Sequence, residues 1–113
     1  MAISALDRFV RAASDHGVHT QSGNPRACNM AYHRLMKALG ELRQQRDQFE
    51  KTLLTLIDHP DASVRSWAAT YLLPVQEEIA GPALESVAAG AGLVPFSAEM
   101  VLKEWRAGRL KLP

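Results

Sequence analysis

Apolar positions along the chain recur at intervals of three and four, and no alternating stretch longer than three residues is present, so the pattern predicts helices only. The first helix is expected over 3–15, with Ile3, Leu6, Val10 and Ala13 on one stripe and Gly17 as its stop. A polar segment follows to Gly23, and Asn24-Pro25 then restarts the chain as N-cap and first helical residue. The second helix, over 25–46, turns Cys28, Ala31, Tyr32, Leu35, Leu39 and Leu42 to one side and carries Gly40 in its interior. A third is expected over 48–58 on Phe49, Leu53, Leu56 and Ile57, ending before His59-Pro60. Asp61 caps a fourth, in which Val64, Trp67, Ala68, Tyr71 and Leu72 make the cleanest amphipathic face, closed by Pro74.

The second half is more broken. The residues predict a short helical turn at 75–79 and a fifth helix from Pro82, after Gly81, to Ala89. Ser97 then caps a sixth helix over 98–107, with Ala98, Val101, Leu102 and Trp105 on its apolar face and Gly108 as its stop. Leu54, Ile57, Val64, Ala68 and Leu72 are matched thirty residues later by Leu84, Val87, Val94, Ala98 and Leu102. A helix–turn–helix unit of that length is the building block of an α-solenoid.

The run from Leu53 to Ala69 resembles a HEAT repeat: a leucine-rich first helix, an Asp-x-Pro turn, then Val64-Arg65-x-x-Ala68-Ala69 opening the second helix. More narrowly, the chain resembles a bacterial HEAT-like family catalogued as domain of unknown function two-zero-one-nine. The stretches that carry this likeness are Leu6–Ala13, Asn29-x-x-Tyr32-His33-Arg34, Val64–Ala69 and Ala98-Glu99-Met100 with Trp105-Arg106. The resemblance implies an all-α fold, a short HEAT-like α–α superhelix of about five to six helices, and no particular activity. One domain is expected over 1–113, divided into an N-terminal helix pair (1–47), a HEAT-like repeat (48–73) and a degenerate C-terminal repeat or cap (74–113). Pro95-Phe96 stands where the second repeat should have Val-Arg. Stacked repeats would set Arg65 and Glu99 side by side, so an ion pair between them is expected.

Composition narrows the functional classes. With 13 Lys and Arg against 12 Asp and Glu, the net charge is +1, and neither half of the chain is a basic or acidic tail. That balance argues against a nucleic acid or an anionic membrane as partner. The longest apolar run is too short to cross a bilayer, and the first residues lack the character of a secretory signal, which points to the cytoplasm. Cys28 is the one cysteine, so no internal disulfide forms, and its apolar neighbours suit a small core side chain.

No constellation marks an enzyme. There is no Gly-x-Ser-x-Gly, Gly90-Ala91-Gly92 lacks the Lys-Ser/Thr of a phosphate loop, and the four histidines do not sit at metal-ligand spacing. The sequence therefore asks for no cofactor, no metal and no catalytic residue. Asn29, Tyr32 and His33 share a face of the second helix and, with Trp67 near the start of the fourth, form the candidate partner-binding set; packing against neighbouring helices is the competing role for Asn29, Tyr32 and both tryptophans. The expected function is a non-enzymatic protein–protein interaction module. One concrete form is a toxin-neutralising immunity protein, since small HEAT-like chains resemble some of these. The alternative is a nucleic-acid-binding HEAT-like protein using Arg34, Lys37, Arg43 and Arg46 as a basic stripe. The tail Leu110-Lys111-Leu112-Pro113 leaves self-association open: it either covers an apolar edge or pairs with a second chain.

Overall fold

The computed structural model describes residues 3–113, and among them every regular element is a helix. They are α1 (Ala5–Gln21), α2 (Pro25–Gln44), α3 (Arg46–Leu54), α4 (Ala62–Leu72), α5 (Glu77–Ala88) and α6 (Leu93–Arg106). Two starts follow the local chemistry read from the sequence. Asn24 accepts the Ala27 N–H at 3.1 Å, with Pro25 at the first position of α2. Asp61 Oδ1 takes the N–H groups of Ser63 and Val64 at 2.8 and 3.3 Å. Each cap satisfies donors that a helix start otherwise leaves unpaired.

Four expectations about the helices are corrected. Gly17 does not end α1, which continues to Gln21 because this residue is buried against Ser63 of α4, where a side chain would not fit. Phe9, not the Ile3 stripe, is the buried centre of that helix; Ile3 precedes it and is 46 % exposed. α5 starts at Glu77, so Pro82 lies inside it. Both Pro82 and Glu78 face solvent, where water can serve the carbonyl that lacks its usual partner. Glu77 and Glu78 also place negative charge at the positive end of that helix.

The fourth correction concerns α6, which begins at Leu93, four residues before Ser97. Its cap comes from α1: Gln21 Oε1 accepts the N–H groups of Leu93 and Val94 at 2.8 and 3.0 Å. Pro95 falls within the first turn, where its missing N–H costs nothing. Ser97 instead donates to the Leu93 carbonyl at 3.0 Å. At the far end Gly108 takes φ 73°, the left-handed geometry that stops the helix.

Each helix touches the next along the chain, and α4 sits at the centre, touching α1, α3, α5 and α6. α1 also touches α6, which joins the two ends of the chain round one core. Phe9, Leu35, Leu39, Leu53, Leu72 and Leu84 are fully buried in a cluster to which all six helices contribute. Each such side chain stabilises the fold by about 1.5–3 kcal/mol relative to exposure. Of the residues matched thirty apart, Val64, Ala68 and Leu72 on α4 and Ala98 and Leu102 on α6 are buried and Val94 is partly so, whereas Leu54 and Ile57 are half-buried where Leu84 and Val87 are buried. Leu110 and Leu112 fold back onto the cluster, so the tail covers part of it. A radius of gyration of 13.2 Å matches the roughly 13 Å of a compact chain of this length. No helix among the described residues is long and apolar enough to cross a membrane.

Candidate functional site

The residues with recognisable chemistry converge where α2 faces α4. On α2, Tyr32 is half-buried while Asn29 and His33 stand in solvent. Trp67 and Tyr71, one turn apart on α4, stack with ring centroids 6.2 Å apart and planes 14° from parallel. Tyr32 leans on Trp67 at 6.1 Å, and His33 meets Tyr32 edge-on at 5.9 Å. His16 of α1 meets Trp67 edge-on at 5.1 Å. The result is a row of rings crossing three helices, exposed at its His33 end and buried at Tyr71.

Of the four candidate partner-binding residues, Tyr32, His33 and Trp67 are thus brought into one continuous row, and Asn29 lies one turn before His33 on the exposed side of α2. Three rings pack against Trp67, yet part of it stays accessible. Trp105 is also half-buried, and its indole N–H donates to Glu77 at 2.7 Å. His16 and Arg43 complete the site, and the helical pattern of the sequence does not assign them to it. His16 lies beyond the helix end that Gly17 suggests. Arg43 places its guanidinium over both Phe49 and Tyr71, 5.7 and 5.5 Å from the ring centres. Its spacing from Tyr32 along α2 is the one sequence signal for that contact.

Burial shifts the two ionisable groups at the inner end of the row, His16 and Tyr71. Desolvation, with a smaller contribution from the nearby His19 charge, lowers the His16 pKa, so its imidazole is neutral at physiological pH. The Tyr71 hydroxyl is pushed well up, first by burial and then by Tyr32, while Arg43 opposes the shift. It rests 3.5 Å from the Met36 sulfur. Cys28 is half-buried, outside the core cluster, with its Sγ 3.5 Å from Thr20 Oγ1. Thr20 in turn lies 3.3 Å from His16 Nδ1.

Two sequence expectations fail in this geometry. Arg65 does not pair with Glu99: its guanidinium donates to the His59 and Pro60 carbonyls at 2.7 and 3.0 Å. The turn before α4 supplies those acceptors locally, and Glu99 stands in solvent. Nor do Arg34, Lys37, Arg43 and Arg46 make a stripe. Arg34 is paired with Asp15 at 3.1 Å, Arg43 lies over its two rings, and Arg46 belongs to α3 after the break at Gln45.

Comparison with known proteins adds no relative: no family model matches the chain, and neither a curated protein nor a solved structure matches it significantly.

Proposed function

We propose that this chain is a non-catalytic protein-binding module whose contact surface is the α2–α4 face built on Asn29, Tyr32, His33 and Trp67. The observation that carries the reading is the supported, part-exposed Trp67. Aromatic residues held rigid before binding lose little entropy on contact, and Trp and Tyr dominate the energetics of protein interfaces. Here the rings of His16, Tyr32 and Tyr71 pack against the indole, and the exposed Asn29 and His33 supply polar contacts at the edge. Two of the four cations that a nucleic-acid surface would use are already engaged, Arg34 with Asp15 and Arg43 over two rings, which favours a protein partner over the nucleic-acid alternative. A toxin-neutralising immunity protein is a concrete form of this reading, consistent with the small helical architecture.

The test is affinity capture with the tagged chain, alongside a Tyr32→Ala/His33→Ala variant shown to melt at the wild-type temperature. One protein retained near stoichiometry through high salt by the wild type, and lost by the variant, supports the module. Equal retention by the variant overturns the face, and no retained protein overturns a tight protein partner. Nucleic acid that elutes as salt rises would favour the alternative.

A further inference from the structure

We propose that the cleft between α1, α4 and α6 is a binding site for a small primary alkylammonium. The cavity, of about 240 Å³, is lined by His16 and Thr20 of α1 and by no residue of α2, and it shares Trp67 with the proposed contact face. Drug-sized sites occupy about 300–1,000 Å³, so this one suits a smaller molecule. Its wall combines the Trp67 indole with Val94 and Val101 and with several hydroxyls. That mixture suits a short apolar body with one polar end.

The direction of hydrogen bonding decides which polar end. Ser63 already donates its proton to the Ala13 carbonyl at 2.7 Å, Thr70 donates to the Ser66 carbonyl at 2.8 Å, and Ser97 donates to that of Leu93. What these three hydroxyls still offer is lone pairs. Two helix starts border the cleft, and a helix start ordinarily favours an anion. Here the N–H groups of Ser63 and Val64 are taken by Asp61, those of Leu93 and Val94 by Gln21, and Pro95 has none. An anion would therefore find these backbone donors taken and a carboxylate in the adjoining cavity.

Charge points the same way. No Lys or Arg lines this cavity or the wider one, about 700 Å³, that shares Ser63 and Val94 with it. Asp61 is the one ionised side chain in either lining. A primary ammonium has three donors and no acceptor, which suits hydroxyls whose own protons are already given away, and an indole attracts a cation. The apolar remainder of the ligand would lie along Val94 and Val101.

The experiment follows backbone amide shifts of the full chain by NMR during titration with benzylammonium, benzyl alcohol and benzoate. Saturable shifts with benzylammonium are expected, confined to residues around His16–Thr20, Ser63–Thr70 and Val94–Val101. Benzyl alcohol should bind about tenfold more weakly, in line with a desolvated cation–π contact, and benzoate should leave these amides unmoved. Ser97→Leu should abolish the benzylammonium response, and the near-isosteric Thr70→Val, which keeps the shape and deletes one acceptor, should weaken it severalfold. No saturable shift, shifts elsewhere on the surface, or binding of the alcohol or benzoate as tight as that of the amine would each overturn the assignment.

Discussion

Gly17 of α1 and Ser63 of α4 approach so closely that a Cβ placed on Gly17 would lie 2.5 Å from the Cβ of Ser63. The contact fixes how α1 crosses the start of α4, and Ser63 adds its hydrogen bond to the Ala13 carbonyl. Alanine at 17 would gain up to about 1 kcal/mol of helix propensity. Overpacking at a close backbone contact costs about 1–3 kcal/mol, so Gly17→Ala should lower stability by about 1 kcal/mol in urea unfolding. In a Ser63→Gly background the same change should raise it. Stabilisation in both backgrounds would show that the contact does not constrain the crossing.

Gly40, in the interior of α2, is the opposite case. A Cβ there meets nothing within 4 Å. Gly40→Ala should therefore stabilise the chain by about 0.5–1 kcal/mol through helix propensity alone. The urea midpoint checks it, and a midpoint that falls would mean α2 needs local freedom at this position.

Gln21 holds the first turn of α6 from outside that helix. Losing a cap costs about 0.5–2 kcal/mol, so Gln21→Leu should destabilise the chain by that amount. Gln21→Glu keeps an acceptor and adds negative charge at a helix start, which favours it by about 0.3–1 kcal/mol. The glutamate variant should match or exceed the wild type in melting temperature at neutral pH. A leucine variant as stable as wild type would remove the cap from the account of why α6 starts at Leu93.

These positions also show what was legible in the sequence. α2 and α4 could be read because Asn24 and Asp61 cap helices a few residues away, and a local pattern carries its own signal. The start of α6 could not be read, since its acceptor, Gln21, is supplied by another helix. The run of α1 past Gly17 depends on Ser63, again from another helix. The same division holds in the site. Tyr32, His33 and Trp67 could be picked out from helical spacing and residue type. That His16 joins the row, and that Arg43 lies over Tyr71, depends on helix crossings that no spacing specifies.

Arg65 offers a test that separates a turn-bracing role from repeat stacking. Its two bonds to the His59 and Pro60 carbonyls hold the turn before α4. Hydrogen bonds to charged groups contribute about 1.5–3 kcal/mol when buried; partial exposure reduces this, so Arg65→Ala should cost about 1 kcal/mol. Glu99→Ala should fall within about 0.5 kcal/mol of the wild type, as for an unpaired surface side chain. The double variant should be additive. Coupling between the two positions in such a cycle would restore the ion pair between them.

His16 gives the chain a pH dependence whose sign follows from its surroundings. Burial beside Trp67 lowers its pKa from the ordinary 6.5, so the unfolded chain takes up this proton at a higher pH than the folded one. The stabilisation is complete above the unfolded value and is lost as pH falls below it, through the lowered folded value. The carboxylates held low by arginines, Glu41 beside Arg8 and Glu104 beside Arg109, lose their contribution only in the more acidic carboxylate range. Urea unfolding at about pH 7.5 and about pH 5.5 should therefore show a lower midpoint at the acidic value. His16→Gln should remove much of that difference, because glutamine does not titrate. Trp67 fluorescence in a Trp105→Phe background should report the same protonation locally, since the imidazole edge meets the indole. An unchanged pH dependence in His16→Gln would place the sensitivity on another group and separate His16 ionisation from the stability of the α1–α4 contact.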